Sequence, residues 1–221
     1  MKFSAKRPAP KAFVDWLEQE NNDWKPTYSQ LSGPPMQAVQ QSLLEEQGYV
    51  CCYCGRRLPL DGSEGHIDHF WPQSRFNGTT ADDRRLDYNN FFRSCGPRGQ
   101  RGVPTGRPST CGEAKGDWYD IHNSILPSDP GCERRFVYGQ TGAVKPSNPD
   151  DKAALNMIKQ LNLNDRALDY ERSVIIEEIE AALAKGISAS SEHARTRTPI
   201  NGQLPGFGHV AARYLEEEFK L

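Results

Sequence analysis

The chain has 221 residues, of which 27 are Lys or Arg and 29 are Asp or Glu, a formal charge of −2. That length fits one ordinary domain or a domain with a sizeable extension, and the near balance of charge excludes a uniformly basic chain while leaving room for a local basic patch. Hydrophobic residues at 36% are too many for a fully disordered chain, and no run approaches the ~18 consecutive apolar residues of a membrane span. Residues 1–10 carry bases with no apolar run behind them, so no secretory signal is expected and a cytoplasmic location is. A short helix is expected over 11–20, with Phe13, Trp16 and Leu17 on one face. A firmer one is expected over 36–47, where Met36, Val39, Leu43 and Leu44 recur at helical spacing and Gly48 stands at the stop. Cys51-Cys52-Tyr53-Cys54-Gly55 reads as a knuckle-like turn. Short strands are expected over 66–70, ending before Pro72, and over 90–95. Loops fill 73–87 and 96–110, and a helix begins at Cys111. Residues 151–185 read as helix, break, helix. Leu155, Ile158 and Leu161 line the first, Asn164 is the N-cap candidate of the second, and Leu168, Ile175, Ile179 and Leu183 follow the helical period. A polar stretch, 187–206, precedes a last helix over 209–219. The divisions drawn are a helical segment 1–50, a chemistry-bearing core 51–125 and a helical region 126–221 with a possible partner-binding surface.

Six cysteines in a reducing compartment suggest metal rather than disulfides. Cys51-x-x-Cys54 points two thiolates at one ion, and a closed structural zinc site needs four ligands in a tetrahedron. Cys95 and Cys111 are the natural second pair, though the gap between them is longer than in a compact zinc ribbon. Cys52 competes with its neighbours as a ligand. Cys132 has no partner by spacing, and reads as a plain buried residue or a surface thiol.

Asp68-His69 is the sharpest catalytic signal. A carboxylate is a hard ligand suited to Mg²⁺, and a histidine beside it can take a proton from water near neutral pH. Asn90 offers a second oxygen ligand without adding charge. The set describes a one-metal phosphodiesterase: His69 activates water, Asp68 and Asn90 hold Mg²⁺ or Mn²⁺, and Lys115 or an arginine adds charge stabilisation. Two alternatives stay open, His66 as the base and Asn89 in place of Asn90.

Cys51-x-x-Cys54, Asp68-His69, Asn90 before Cys95, and Cys111 with Lys115 together resemble the HNH nuclease superfamily. The resemblance implies an α+β fold in which a zinc-braced ββα-metal core (the HNH or His-Me finger) is embedded in a mostly helical body. It also implies Asp68 as metal ligand, His69 as general base and Asn90 as the middle letter of the name. Leu44–Gly48 leading into the knuckle, His66–Ser74, Cys111–Asp117, and Leu161–Asn164 ahead of Leu168 and Arg172 are similar to the HNH proteins of Septu and retron antiphage systems. Those act beside an ABC-type ATPase and cut DNA or, in some retron systems, tRNA. The position after the last cysteine is Gly112 here, so the third letter is unassigned. His122, Asp117 and Glu113 are its candidates.

Between Arg84 and Lys115 seven bases face two acids, the local excess a phosphate-tracking surface needs. Arg98, Arg101 and Arg107 in the Gly-rich loop are the expected nucleic-acid contacts. Trp16, Trp24, Trp71 and Trp118 read as packing residues rather than base-stacking platforms. The acidic stretch Glu177-Glu178-Ile179-Glu180 suits packing or a protein partner. The competing readings are an RNA-cleaving effector with the same site, and a non-catalytic zinc module that binds nucleic acid or an ATPase.

Overall fold

Helical periodicity and its stop signals lay out most of the chain. The computed structural model describes residues 1–62, 64–76, 83–96 and 108–221. Among these, α1 (Lys11–Leu17) and α2 (Gly33–Glu46) come first, then strands β1 (His66–His69) and β2 (Phe91–Ser94) and the short helix α3 (Cys111–Lys115). Strands β3 (Phe136–Tyr138) and β4 (Val144–Pro146) follow. Helices α4 (Lys152–Gln160), α5 (Arg166–Ala184), α6 (Ala189–Arg197) and α7 (Gly208–Phe219) complete a mixed α+β chain. Each pair of strands forms its own two-stranded antiparallel sheet. No helix among the described residues is long and apolar enough to cross a membrane.

Helix α2 starts three residues earlier than its apolar spacing suggests. Pro34 and Pro35 occupy its first turn, where a missing N–H costs nothing and the fixed φ is already helical. It ends where Gly48 takes φ +63°, the left-handed geometry of a helix stop. Helix α5 is capped by Asp165, which accepts from the Ala167 N–H, and not by Asn164. The Asn164 amide instead accepts from the Val144 N–H at 2.8 Å and donates to the Val144 carbonyl at 3.0 Å. It thereby satisfies the outer edge of β4, a strand whose three residues are too few to announce themselves in the sequence. On α4 the buried face is Ala153, Ala154 and Met157, with Leu161 just past the end. Leu155, expected on that face, is 45% exposed.

Helix α6 lies inside the stretch that reads as merely polar. Ser188 caps it by accepting from the Ser191 N–H, and its buried residues are Glu192 and Thr196. Polar contacts rather than an apolar stripe mark it: Arg195 pairs with Glu192 at 2.7 Å within the helix, and the His193 imidazole lies 2.8 Å from the Glu216 carboxylate of α7. A periodicity search for hydrophobic residues has nothing there to find. The apolar side of the acidic stretch on α5 is used within the chain, Ile179 packing on Ala211 and Leu215 of α7.

The β1–β2 hairpin stands between two apolar clusters. Its register pairs His66 with Ser94, Ile67 with Arg93, Asp68 with Phe92 and His69 with Phe91. Side chains alternate along a strand. Phe92 therefore joins the main core around the cysteine knuckle, Ile125, Phe136, Met157, Leu161 and Val210. Phe91 and Ile67 join the cluster of Phe13, Leu31, Val39, Leu43 and Tyr88 contributed mostly by α1 and α2. Gln47, just past α2, reads the β2 backbone as a strand would. Its amide accepts from the Arg93 N–H at 2.7 Å and donates to the Arg93 carbonyl at 2.8 Å.

Candidate functional site

The four cysteines separated in sequence by up to 60 positions converge. The Sγ atoms of Cys51, Cys54, Cys95 and Cys111 all lie within 4.8 Å of one another and all four residues are buried. Gly55 donates its N–H to the Cys51 carbonyl and Arg56 donates to the Cys54 sulfur, the tight turn a CxxC needs. The Cys54–Cys95 sulfurs are 3.5 Å apart, close to the ~3.8 Å that ~2.3 Å Zn–S bonds set in a tetrahedron. Cys111 holds φ +57°, a left-handed conformation that costs a non-glycine residue about 1–2 kcal/mol. Its N–H to the Leu161 carbonyl and its place among the thiols keep it there. Burial opposes ionisation of Cys51, yet hydrogen bonds from the neighbouring cysteines, Cys111 foremost, bring its thiol well below the ordinary range. The shared sulfurs and burial push Cys95 and Cys111 the other way, and it is the convergence of four buried sulfurs that fits a soft cation such as zinc. Cys52 and Cys132 are buried outside it.

Asp68 projects to the same side of the hairpin as α3. Its carboxylate accepts from the Tyr53 hydroxyl at 2.5 Å, and the Lys115 ammonium stands 3.3 Å from it. That ammonium also donates to the His69 carbonyl at 2.8 Å. Burial, followed by the charge of Asp68, pushes the Tyr53 phenol well above its usual range, so it stays a donor. Lys115 is thus a buried counter-ion tying α3 to β1.

His69 leaves the strand on the opposite side. Its ring meets Tyr28 edge-on at 4.3 Å and Phe91 at 4.8 Å. Tyr28 belongs to the single turn Tyr28–Gln30 between α1 and α2. The Nε2 atom lies 3.0 Å from the Arg85 carbonyl. A carbonyl only accepts, so Nε2 carries the proton and Nδ1 keeps its lone pair. Burial lowers the imidazole pKa to about 4; the Arg85 carbonyl raises it and Lys115 lowers it further. The ring is neutral at physiological pH, the form a general base requires.

Asn90 sits at the end of the turn Tyr88–Asn90, just ahead of β2. Its Oδ1 accepts from the Trp71 N–H at 2.7 Å, and its Nδ2 donates to the carbonyls of Trp71 at 2.9 Å and Arg84 at 3.0 Å. Asn90, expected to ligate magnesium, stands in a bracing position: its amide closes the segment leaving β1 onto the segment returning to β2. With the Asp68 carboxylate engaged by Tyr53 and Lys115, the described residues do not fit a magnesium ion held by Asp68 and Asn90 together. His122 is exposed on a turn organised by Asp120, and no contact among the described residues brings it to Asp68. Glu113 approaches the Cα side of Gly96 beside His66, and Asp117 is exposed. The Arg98, Arg101 and Arg107 expectation lies outside the described residues.

A scan against models of known protein families matches none, and a search of curated proteins returns no relative. The family resemblance thus rests on residues alone.

Sequence reasoning misses Tyr28 and Tyr53. Tyr53 had a signal, since a polar ring between two ligand cysteines must point somewhere dry. Tyr28 had none, being 41 positions from His69.

Proposed function

We propose that this chain hydrolyses phosphodiester bonds of nucleic acid as an HNH-type endonuclease, with β1, β2 and α3 as its ββα core and zinc on the four cysteines as a structural brace. The observation that carries the reading is His69: a neutral imidazole at a strand end, its Nε2 proton committed to the Arg85 carbonyl and its Nδ1 lone pair left to accept. In this mechanism Nδ1 takes a proton from water, the water oxygen attacks phosphorus, and the P–O bond to the leaving sugar oxygen breaks, that oxygen taking a proton from solvent to leave as the alcohol. Because the nucleophile is water and not a 2′-hydroxyl, DNA and RNA are both chemically competent substrates. The Asp68–Lys115–Tyr53 group holds the strand end that presents the base. The residue resemblance extends the proposal to an antiphage effector that works beside an ABC-type ATPase.

The test is cleavage of plasmid DNA and of tRNA by the purified chain, alone and with such an ATPase, with and without added magnesium or manganese. Wild-type protein is expected to nick one of the two, and His69→Ala to lose the activity while keeping its metal content. Equal rates for the two proteins would overturn the role of His69. Asp68 and His69 are each only 6% exposed, which favours a second reading, a zinc-braced module that binds nucleic acid or a partner without cutting. Binding with no cleavage under every arm of the assay would select it.

A further inference from the structure

Helices α6 and α7 close on Lys2 and on the cysteine knuckle, and together they enclose a cavity of about 190 Å³. Four of its lining side chains are polar, those of Lys2, Thr196, Arg197 and His209; the rest of the wall is apolar or glycine, Leu204 and Gly55 among it. The Thr196 hydroxyl is spent on the His193 carbonyl at 2.7 Å. Lys2 and Arg197 both pair with Glu133, which is not part of the wall. Lys2 also donates to the Phe3 carbonyl, and Arg197 also pairs with Glu216 at 3.2 Å. An ammonium has three N–H donors and a guanidinium five, so these partners hold both cations in place and leave donors over.

His209 adds a donor that nothing else takes. The residue is 2% exposed. The Tyr138 hydroxyl accepts from the Met1 amino group at 3.2 Å, so its own proton goes to His209 Nε2, also at 3.2 Å. With Nε2 accepting, the imidazole proton is on Nδ1. That N–H is buried and has no partner among the described residues, and a buried donor left unpaired is costly. The ring edge that carries it faces the Cα of Gly55, where a Cβ would stand 2.6 Å from Nδ1 and 2.3 Å from Cε1. Glycine at this position, with φ +81°, keeps room beside the ring that any side chain would close.

We infer that this cavity binds a small oxyanion, a carboxylate or phosphate monoester with a short apolar body, its acid group taken by His209 Nδ1, Lys2 and Arg197. The polar part of the wall has donors to spare and no carboxylate, the complement of a group that only accepts. Volume limits the rest of the ligand. An engineered apolar cavity of about 150 Å³ takes one benzene, and drug-sized sites begin at about 300 Å³, so the occupant is a small organic acid and not a strand of nucleic acid. The apolar remainder of the wall suits its short carbon chain. The site shares no residue with the His69 pocket, and the inference is independent of the nuclease reading.

The experiment is isothermal titration and thermal melting of the purified full chain, with metal content verified. The probes are inorganic phosphate, glycerol phosphate, butyrate and the neutral butyramide, at an ionic strength matched with sodium chloride. At least one oxyanion is expected to bind one to one with Kd below about 1 mM and to raise the melting midpoint, while butyramide does neither. Glycerol phosphate against butyrate tells phosphate from carboxylate. His209→Gln keeps an amide for Tyr138 and has no donor in place of Nδ1; Leu204→Phe fills the cavity and leaves every donor. Each should weaken binding by roughly tenfold or more. Where His209→Gln does not melt cooperatively, Leu204→Phe carries the comparison, and in wild type a ¹⁵N-histidine spectrum should show the His209 Nδ1–H signal shifted at saturation. No oxyanion binding above the chloride control, butyramide bound as tightly as butyrate, wild-type affinity in the folded variants, or an unshifted Nδ1–H signal overturns the inference and leaves a cavity for water only.

Discussion

The two faces of the β1–β2 hairpin are built from different materials. On the α3 face a carboxylate, an ammonium and a phenol satisfy one another in the interior, beside a cage of four sulfurs. On the other face the His69 ring lies against the rings of Tyr28 and Phe91, and among the described residues its polar anchor is the Arg85 backbone carbonyl. Adjacent residues reach these opposite environments because side chains alternate along a strand. The comparison teaches that neighbouring acid and imidazole need not form one cluster. The acid is spent on holding the hairpin, and the imidazole is kept neutral by a dry aromatic pocket.

Breaking the sulfur cage should have the largest consequence. Structural zinc contributes on the order of 10 kcal/mol to folding. Chelation, or Cys54→Ser, is expected to abolish the cooperative unfolding transition in circular dichroism. A metal-free preparation that melts like the native one would remove the brace from the α3 face.

The next effect belongs to the opposite face. His69→Ala is expected to lower cleavage by about 10²–10⁴-fold with metal content unchanged, and to lower the melting temperature only by the cavity left between Tyr28 and Phe91. An equal loss of stability and activity would erase the distinction between the faces.

Lys115→Met tests the α3 face without touching the cage. It leaves the Asp68 charge buried beside Tyr53, at a cost of about 3–5 kcal/mol. Asp68→Asn in the same chain should recover part of that loss. A double-mutant cycle by urea denaturation measures the coupling.

The smallest effect is on pH dependence. His69 has a folded pKa of about 4 against 6.5 for a free imidazole. Between those values the unfolded chain binds the proton and the folded one does not, so stability falls as pH drops from 6.5 to 4, by up to about 3 kcal/mol. His209, which burial holds well below its ordinary range, acts in the same direction. The fall between pH 7 and pH 4.5 should be shallower in His69→Ala. Tyr28→Ala should raise the His69 pKa towards 6.5 in an NMR titration, because burial is its main cause. A pKa that stays near 4 would mean Tyr28 is not what dries the ring.

Much of this was legible along the chain. The helices of α2, α5 and α7 follow their apolar spacing, and the cysteine pairs announce their cage. Helix α6 was not legible, because polar contacts of Glu192, Arg195 and His193 stand where an apolar stripe would be. The β3–β4 hairpin was not, because three-residue strands carry too little alternation to register. Asn90 was legible as a residue of interest, but not its hydrogen bonds to the Trp71 and Arg84 backbone. Its type marks it as a donor and acceptor without saying whether backbone or cation will use it.

Residue types and spacings determined what this protein could hold: four thiols for a soft cation, an imidazole able to be neutral, a basic stretch about the middle. Those are properties of short pieces of chain. Packing alone decided which lone pairs were already taken, which ring shields the imidazole, and that the guanidiniums of Arg84 and Arg75 lie over the rings of Trp71 and Tyr119. Such relations join positions tens of residues apart, and only the way the N-terminal helices and α3 close on the hairpin brings them within bonding distance.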